Sequence, residues 1–399
     1  MGELGILTRQ PDENTQREGN RGTMITSTDH RLIISRRRLL QVTAAGVSIT
    51  ALGAIGRADA AGETVRWVSP RGTLEVVDDF AYWVAKKHGY FGDIPTDIQA
   101  GPLEATATVK LVDQKQADFG YPSPGVFSLA LEQGMDLISV FHVMAGDVFD
   151  FAFQKGKAPA DLSGLAGKTI LLGSAGWQAI TNPMLASAGV DIASVKYVEA
   201  GNGWAQSLAQ GQGDAALSWE GLRAQWKGQG LDFDYLLGKK VSKFPANSYV
   251  TRKADLADPA KKELYGRYLR GWAMGMEFGQ VNPRAATQIV MEQFPGLATQ
   301  MNPSVATESL MQELALMHAR WDERQGWGWH IPASWQLFFD SIAKIGQVSK
   351  TFKATDVVTN ELIPTANDFD KAKVKADAEG FALSDSFKAV DVDTIVKGL

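Results

Sequence analysis

The chain has 399 residues, of which 45% are hydrophobic and 21% charged, a composition typical of a globular protein with room for two domains of about 150 residues each. Its net charge of −5 gives no indication of a nucleic-acid partner. Because cysteine is absent, disulfides, thiolate metal sites and cysteine nucleophiles are excluded.

Residues 1–60 have the features of an export leader. Consecutive arginines at 36–38 precede an apolar run at 42–55, and Ala58-Asp59-Ala60 provides a small-x-small cleavage site. The run is too short to span a membrane, although an uncleaved anchor is the alternative. The arginine pair followed by x-Leu-Leu resembles a twin-arginine signal, so we expect a periplasmic protein exported by that route. Met24 is an alternative start that would give a leader of more ordinary length.

Predicted strands and helices alternate after the leader, which indicates an α/β fold. In the first unit, strands are predicted at 64–69, 96–100, 118–121, 137–143 and 149–153, and helices at 76–88, 104–115 and 126–133, with Gly89 as a C-cap. After a polar crossing, a second unit has strands predicted before Gly173 and at 195–199, 214–219 and 247–251, and a helix at 204–210. From residue 259 the pattern is helical, apart from an extended segment predicted at 352–363 and a surface helix in the charged tail from 368.

The segment 173–178 is the first candidate for a ligand site. An apolar strand stops there in a glycine-serine loop, and small residues followed by a helix N-terminus let a ligand approach backbone N–H groups. The candidate residues are Ser174, Ala175, Gly176, Trp177 and Gln178. An ordinary turn is the alternative for this loop. A helix beginning only at Asn182-Pro183 would leave Trp177 on a loop.

Other candidates follow predicted strands in both units. They are Arg71, Thr73, Glu75, Tyr121 and Ser123 in the first unit, and Glu199, Asn202, Trp204, Trp219 and Glu220 in the second. Each tryptophan is either a core residue or a ring that stacks on a ligand. The glutamates are either solvated charges at the rim or acceptors for ligand N–H groups. Arg71 pairs either with a ligand carboxylate or with Glu75.

The sequence matches no catalytic, metal-binding or cofactor-binding motif in residue spacing and element order. The histidines lack metal-ligand spacing, so no metal and no cofactor is predicted. Around Ser174, a nucleophile elbow would need glycine where Leu172 stands. The glycine pattern at 211–216 imitates a dinucleotide fingerprint, but it follows a helix and leads into a strand, which is the wrong order.

Five segments occur in an order that points to one family. They are 82–91, ending Gly89-Tyr90-Phe91; Asp118-Phe119-Gly120; 165–174; 208–220, ending Trp219-Glu220; and 359–362. Together they resemble the substrate-binding proteins of ABC importers in the nitrate, sulfonate, taurine and thiamine-precursor group. The loop at 69–75 departs from that group's usual pattern.

The resemblance implies a type II periplasmic-binding-protein fold with two lobes, each a sheet flanked by helices, and a ligand cleft between them. Lobe I is expected at 61–152 and 248–399, and lobe II at 153–247. The expected function is that of an exported, non-catalytic and monomeric protein that binds a small molecule and delivers it to an ABC transporter permease.

Two alternative functions remain at this stage. One is an enzyme of the same fold, similar to the pyrimidine synthases of thiamine biosynthesis; those use a cysteine-rich motif, which this chain lacks. The other is a ligand-sensing module. Aromatic and acidic candidates favour a neutral or cationic planar nitrogen compound, such as a pyrimidine, over a sulfonate.

Overall fold

The computed structural model describes residues 63–102 and 106–399, so the predicted leader and its arginine pair lie outside the described residues. Two five-stranded mixed sheets form the frame of the molecule. The first sheet contains β1 (Val65–Ser69), β2 (Thr96–Ala100), β3 (Phe119–Gly120), β4 (Leu137–His142) and β10 (Ser248–Arg252). The second contains β5 (Phe149–Gln154), β6 (Thr169–Leu172), β7 (Lys196–Glu199), β8 (Ala215–Trp219) and β9 (Phe233–Leu236).

The two sheets have the same topology, with orders β2-β1-β3-β10-β4 and β7-β6-β8-β5-β9. In each sheet the fourth strand is antiparallel to its neighbours, and this strand is the one that arrives from the other sheet. The carboxyl ends of the parallel strands carry the loops that bind ligands in such sheets. The predicted two-lobed α/β class is confirmed.

The chain crosses between the sheets twice, after β4 and before β10. The two crossings are hydrogen-bonded, because Val143 and Met144 donate backbone N–H groups to Asn247 O, each at 3.2 Å. The exact division into lobes stays a prediction, but β5 pairs with β8 and β9 from Phe149 onward, which places the first crossing ahead of residue 149 rather than at 152. The apolar run 149–153 could be buried in either sheet, so its sequence does not show which sheet it joins.

Helices surround both sheets. They are α1 (Phe80–His88), α2 (Ala107–Asp113), α3 (Pro124–Glu132), α4 (Gln178–Ser187), α5 (Trp204–Ala209), α6 (Leu222–Gly228), α7 (Gly238–Val241), α8 (Lys253–Ala257), α9 (Pro259–Val281), α10 (Pro283–Gln293), α11 (Pro303–Met317), α12 (Pro332–Lys344), α13 (Ala354–Val357), α14 (Ile363–Ala366), α15 (Lys371–Glu379), α16 (Asp385–Lys388) and α17 (Val392–Gly398). None of the helices in the described ranges is both long enough and apolar enough to cross a bilayer.

Local sequence explains several helix boundaries. α9, α10 and α11 each begin with proline after Asp258, Asn282 or Asn302, whose side chain accepts backbone N–H bonds of the first turn. Gly89 ends α1 in the left-handed conformation, with φ of 70°, so the predicted C-cap is confirmed.

The extended segment predicted at 352–363 is wrong. It forms the short helix α13, a single bridge between Val358 and Ser139, and the start of α14. Val357, Val358 and Leu362 are buried, so these apolar residues contribute to core packing rather than to a strand. The charged tail forms surface helices, as predicted, beginning with α15.

Candidate ligand-binding site

A cavity of about 230 Å³ lies between the two lobes, against the loops that follow β1, β3, β6 and β8. The predicted site residues that line it are Arg71, Thr73, Tyr121, Ser123, Trp177, Asn202, Trp204 and Trp219. Residues of the crossing segments, Met144 and Asn247, also line it. The cavity therefore occupies the position that open α/β sheets offer to ligands.

The loop after β6 contributes one side chain, Trp177, to the cavity. A short 3₁₀ turn at Ala175–Trp177 leads directly into α4 at Gln178, so the alternative helix start at Asn182-Pro183 is wrong. Pro183 lies inside α4 and cannot donate to Ala179 O, but that oxygen accepts a hydrogen bond from Gln347 Nε2 at 3.1 Å instead. A side-chain amide thus replaces the missing helical bond.

Position 173 requires glycine because the Trp177 ring packs against it, rather than because a ligand approaches there. A Cβ atom at this position would lie 2.5 Å from the indole of Trp177. Ser174 is buried, Ala175 is exposed, and the backbone N–H of Trp177 bonds Ser174 O at 3.0 Å. Ser174, Ala175, Gly176 and Gln178 do not line the cavity, so the loop serves mainly to position one ring.

Three indoles form the wall of the cavity on the second lobe. Trp204 and Trp219 are stacked with ring centroids 5.9 Å apart, and Trp177 meets each of them edge-on, at 5.6 and 5.9 Å. Trp204 Nε1 donates to Leu217 O at 2.8 Å, which fixes its ring. All three rings are partly exposed, so the structure places them at the cavity surface rather than in the closed core.

Tyr121 and Arg71 stand on the wall formed by the first lobe. The Tyr121 side chain is buried, which raises the pKa of its phenol well above the usual value and keeps it neutral. The guanidinium of Arg71 lies 5.6 Å from the centre of that ring. Ser123 caps α3 by accepting from Val126 N at 3.3 Å.

Arg71 is paired within the protein. Its Nε lies 2.9 Å from Asp78 Oδ2 and its Nη1 2.6 Å from Asp79 Oδ1, whereas Glu75, the partner considered above, is exposed and outside the cavity. Burial disfavours the charge on Arg71, but Asp79 and Asp78 outweigh burial, so the pKa of Arg71 is raised. Its positive charge is therefore already neutralised by two carboxylates.

Asp78 and Glu313 also line the cavity, and sequence reasoning did not single them out. Glu313 is 1% exposed on α11, and burial, followed by the charge of Asp78, raises its pKa well above the usual value. One signal was available: the spacing of Ala306, Leu310, Glu313 and Met317 places a carboxylate on the apolar face of the helix.

The two predicted glutamates of the second lobe lie elsewhere. Glu199 is exposed at the end of the edge strand β7. Glu220 is fully buried, with Arg223 Nη2 at 2.8 Å and Lys239 Nζ at 2.9 Å. Neither lines the cavity, so the acidic character of the site comes from Asp78 and Glu313 on the first lobe.

A hydrogen-bonded group of Ser139, His330 and Asn360, the first two of them buried, lies outside the cavity. His330 Nε2 is 2.7 Å from Ser139 Oγ, and His330 Nδ1 is 3.0 Å from Asn360 Oδ1. Burial lowers the pKa of His330 to about 3, so its ring is neutral. These residues do not line the cavity, and their hydrogen bonds connect β4 to the loops before α12 and α14.

His330→Gln tests this structural role. Because the folded pKa of His330 is about 3 and the unfolded value is near 6.5, wild-type stability from this group is complete above pH 6.5 and declines below it. The gap in unfolding free energy between wild type and His330→Gln should therefore narrow by about 2 kcal/mol from pH 7.5 to pH 5, measured by urea unfolding. Ser139→Ala keeps the histidine, so its gap should stay nearly constant. A gap that widens for His330→Gln would contradict the role.

Among the described residues, no group of three or more histidine or carboxylate side chains could hold a metal ion. The site is thus an aromatic and acidic cavity, and the chemistry available in its lining is hydrogen bonding, ring contact and charge.

Comparison with known proteins agrees with this geometry. A model of the NMT1/THI5-like family matches residues 78–286, more than half of the chain, and the chain belongs to this family. The resemblance drawn from the five sequence segments is thereby confirmed. Among curated protein sequences, none is similar enough to count as a match.

Solved structures show the same fold at low sequence identity. The alkanesulfonate-binding protein SsuA from Xanthomonas axonopodis pv. citri, bound to MOPS, has a TM-score of 0.57 and 13% identity, covering 74% of this chain and 98% of that chain. The ligand-binding component of an ABC-type import system from Staphylococcus aureus, with zinc bound, has a TM-score of 0.57 and 12% identity, covering 77% and 100%. The periplasmic aliphatic sulphonate binding protein SsuA from Escherichia coli has a TM-score of 0.55 and 13% identity, covering 75% and 92%.

Proposed function

We propose that this chain is an exported solute-binding protein, without catalytic activity, that encloses a small molecule between its lobes and delivers it to an ABC transporter permease. The observation that carries the proposal is the interlobe cavity, with three indoles facing Tyr121 across a space of about 230 Å³. Family membership and the export-type leader support a periplasmic location by the twin-arginine route, and the protein acts as a monomer.

Contacts between the lobes support enclosure of the ligand. Gln225 Nε2 on α6 donates to Ser309 Oγ on α11 at 2.9 Å, and the backbone N–H of Gly221 donates to Gln312 Oε1 at 3.1 Å. On another side, α3 of the first lobe reaches the first turn of α4, where a Cβ at Gly125 would lie 2.2 Å from Ala179 O. Domain closure of this kind buries a ligand and couples its binding to the shape of the protein.

A thermal-shift panel tests the proposed function. The purified protein is heated with pyrimidines, sulfonates, taurine, nitrate, aromatic acids and small amines, each over a range of concentrations. A true ligand should raise the melting temperature in a saturable manner and be recovered unchanged. Chemical turnover of the ligand would contradict a binding protein, as would the absence of any saturable ligand across the panel.

Trp177→Ala should weaken binding of the best panel ligand tenfold or more, which corresponds to about 1.4 kcal/mol, because it removes the ring that closes the aromatic wall. Isothermal titration calorimetry gives the affinity. Trp329→Ala, which removes a half-buried indole outside the cavity, is the matched control and should leave the affinity unchanged. Equal affinities for wild type and Trp177→Ala would mean that this ring does not contact the ligand.

A further inference from the structure

One buried charge cluster faces the cavity and carries more carboxyl groups than cations. It consists of Arg71, Asp78, Asp79 and Glu313, and the three carboxyl side chains belong to residues that are 6%, 2% and 1% exposed, respectively. Of the described residues that line the cavity, Arg71 alone carries a positive charge. The cluster therefore lacks at least one positive charge.

We infer that the cavity selects a small organic cation, or a nitrogen base bound in its protonated form, whose N–H groups bond Asp78 and Glu313 while its apolar part lies against the three indoles. This inference rests on the proposed function and specifies the class of ligand.

Hydrogen-bonding capacity points to a donor. Asp78 Oδ2 is occupied by Arg71 Nε at 2.9 Å, but Asp78 Oδ1 and Glu313 Oε2 are buried and, when both carboxyl groups are ionised, have no donor among the described residues. Such oxygens are costly to leave without a donor, and amidinium or ammonium N–H groups satisfy them with charge-assisted bonds.

The same geometry disfavours an anion. A sulfonate or carboxylate placed in the cavity would meet Arg71, whose charge is already compensated by Asp78 and Asp79 at 2.9 and 2.6 Å. The carboxylates of Asp78 and Asp79 outnumber this one guanidinium. Like charges in a poorly solvated space repel strongly, so the cluster disfavours an anion.

The surroundings of Glu313 favour its protonated form while no cation is bound. Burial raises the pKa of Glu313, the charges of Asp78 and Asp79 raise it further, and Arg71 lowers it. Protonated Glu313 also donates to Asp78, and Tyr121, the other titratable group facing the cluster, is neutral. A bound cation favours ionised Glu313, so binding should release a proton and strengthen as the pH rises.

The indoles favour a cation with a flat apolar part. Trp177, Trp204 and Trp219 present ring faces and edges within one wall, and an indole face attracts a cation electrostatically, more strongly where water is excluded. The wall and the carboxyl groups lie on opposite lobes, so a ligand that is apolar at one end and cationic at the other contacts both.

Three probes with the same ring separate the charge classes: benzamidinium, benzamide and benzenesulfonate. Calorimetry with the full chain at pH 7.5 should show benzamidinium binding at least tenfold more tightly than the other two. Titration in two buffers of different ionisation enthalpy should show proton release. Glu313→Gln should lower benzamidinium affinity at least tenfold, whereas Glu199→Gln, which removes an exposed carboxylate outside the cavity, should not change it.

Asp78→Asn is the second variant tested for benzamidinium affinity. Thermal unfolding shows whether each variant is folded. Benzenesulfonate or benzamide binding as tightly as benzamidinium would overturn the inference, as would no binding of benzamidinium or an unchanged affinity in both folded variants. The proposed function fails separately, if no compound of the thermal-shift panel binds. Tight, saturable binding of a sulfonate would thus overturn the cation inference and leave the solute-binding function standing.

Discussion

Arg71→Ala is expected to lower the free energy of unfolding by about 3–5 kcal/mol, because it leaves two buried carboxylates without a cation. Asp78 and Asp79 are 6% and 2% exposed, and Arg71 is within 3 Å of both. Burial raises the pKa of Asp79 and Arg71 opposes that rise, so without the guanidinium Asp79 would take up a proton at higher pH. Urea unfolding at pH 7.5 measures the loss.

Arg267→Ala is the matched control for this prediction. Arg267 Nη1 lies 3.0 Å from Asp93, but the two side chains are 39% and 86% exposed, so the loss should be within about 1 kcal/mol. Adding Asp79→Asn to Arg71→Ala should restore part of the stability, because one uncompensated carboxylate disappears. A loss below 1 kcal/mol for Arg71→Ala would show that water already screens the cluster.

Gly125→Ala should lower the affinity for the best panel ligand tenfold or more, about 1.4 kcal/mol, by forcing the lobes apart. The new Cβ would lie 2.2 Å from the backbone oxygen of Ala179, and neither helix backbone can yield locally. α3 and α4 belong to different lobes, so their separation widens the cavity that the ligand must bridge. Calorimetry measures the affinity, and small-angle scattering should show a larger radius of gyration.

Gly398→Ala adds the same methyl group where no atom lies within 4 Å, and it should change neither quantity. If Gly125→Ala binds ligand with unchanged affinity and scatters as wild type does, the contact between α3 and α4 does not hold the lobes together.

Much of the fold could be predicted because most strands and helices carry a local sequence signal. Gly89 predicted a C-cap, and the apolar run 137–143 predicted a buried strand that the structure shows at β4. β9 was not recognised, because Phe233, Tyr235 and their neighbours alternate over only four residues between two glycine-containing turns. The segment at 352–363 was misread because its apolar residues Val357, Val358 and Leu362 are buried without forming a strand.

The aromatic wall could be predicted because Trp177 and Trp219 closely follow or end strands in sequence, and Trp204 begins the helix after β7. Glu220 directly follows β8, but Gly221, with φ of 94°, turns the chain there and Glu220 pairs with Arg223 and Lys239. Glu313 could not be placed from sequence alone, because it reaches the cavity through the packing of α11 on α6, a contact between segments far apart in the chain.

For the loop at 173–178, the position beside the cavity could be predicted from the sequence, but the chemical role of the loop could not. Its position beside the cavity followed from the order strand, glycine-serine loop, helix. Its function did not, because the tight turn serves to hold Trp177 against Gly173, and the charged groups come from the opposite lobe.

The proposed binding mode holds one small molecule between the three indoles and the first lobe. Fluorine NMR of the protein labelled with 5-fluorotryptophan, each resonance assigned by a Trp→Phe variant, tests it most directly during titration with the best panel ligand. The resonances of Trp177, Trp204 and Trp219 should shift in a saturable manner, while those of the buried Trp272 and Trp335 stay unchanged. Saturable binding that leaves those three resonances unmoved would contradict it.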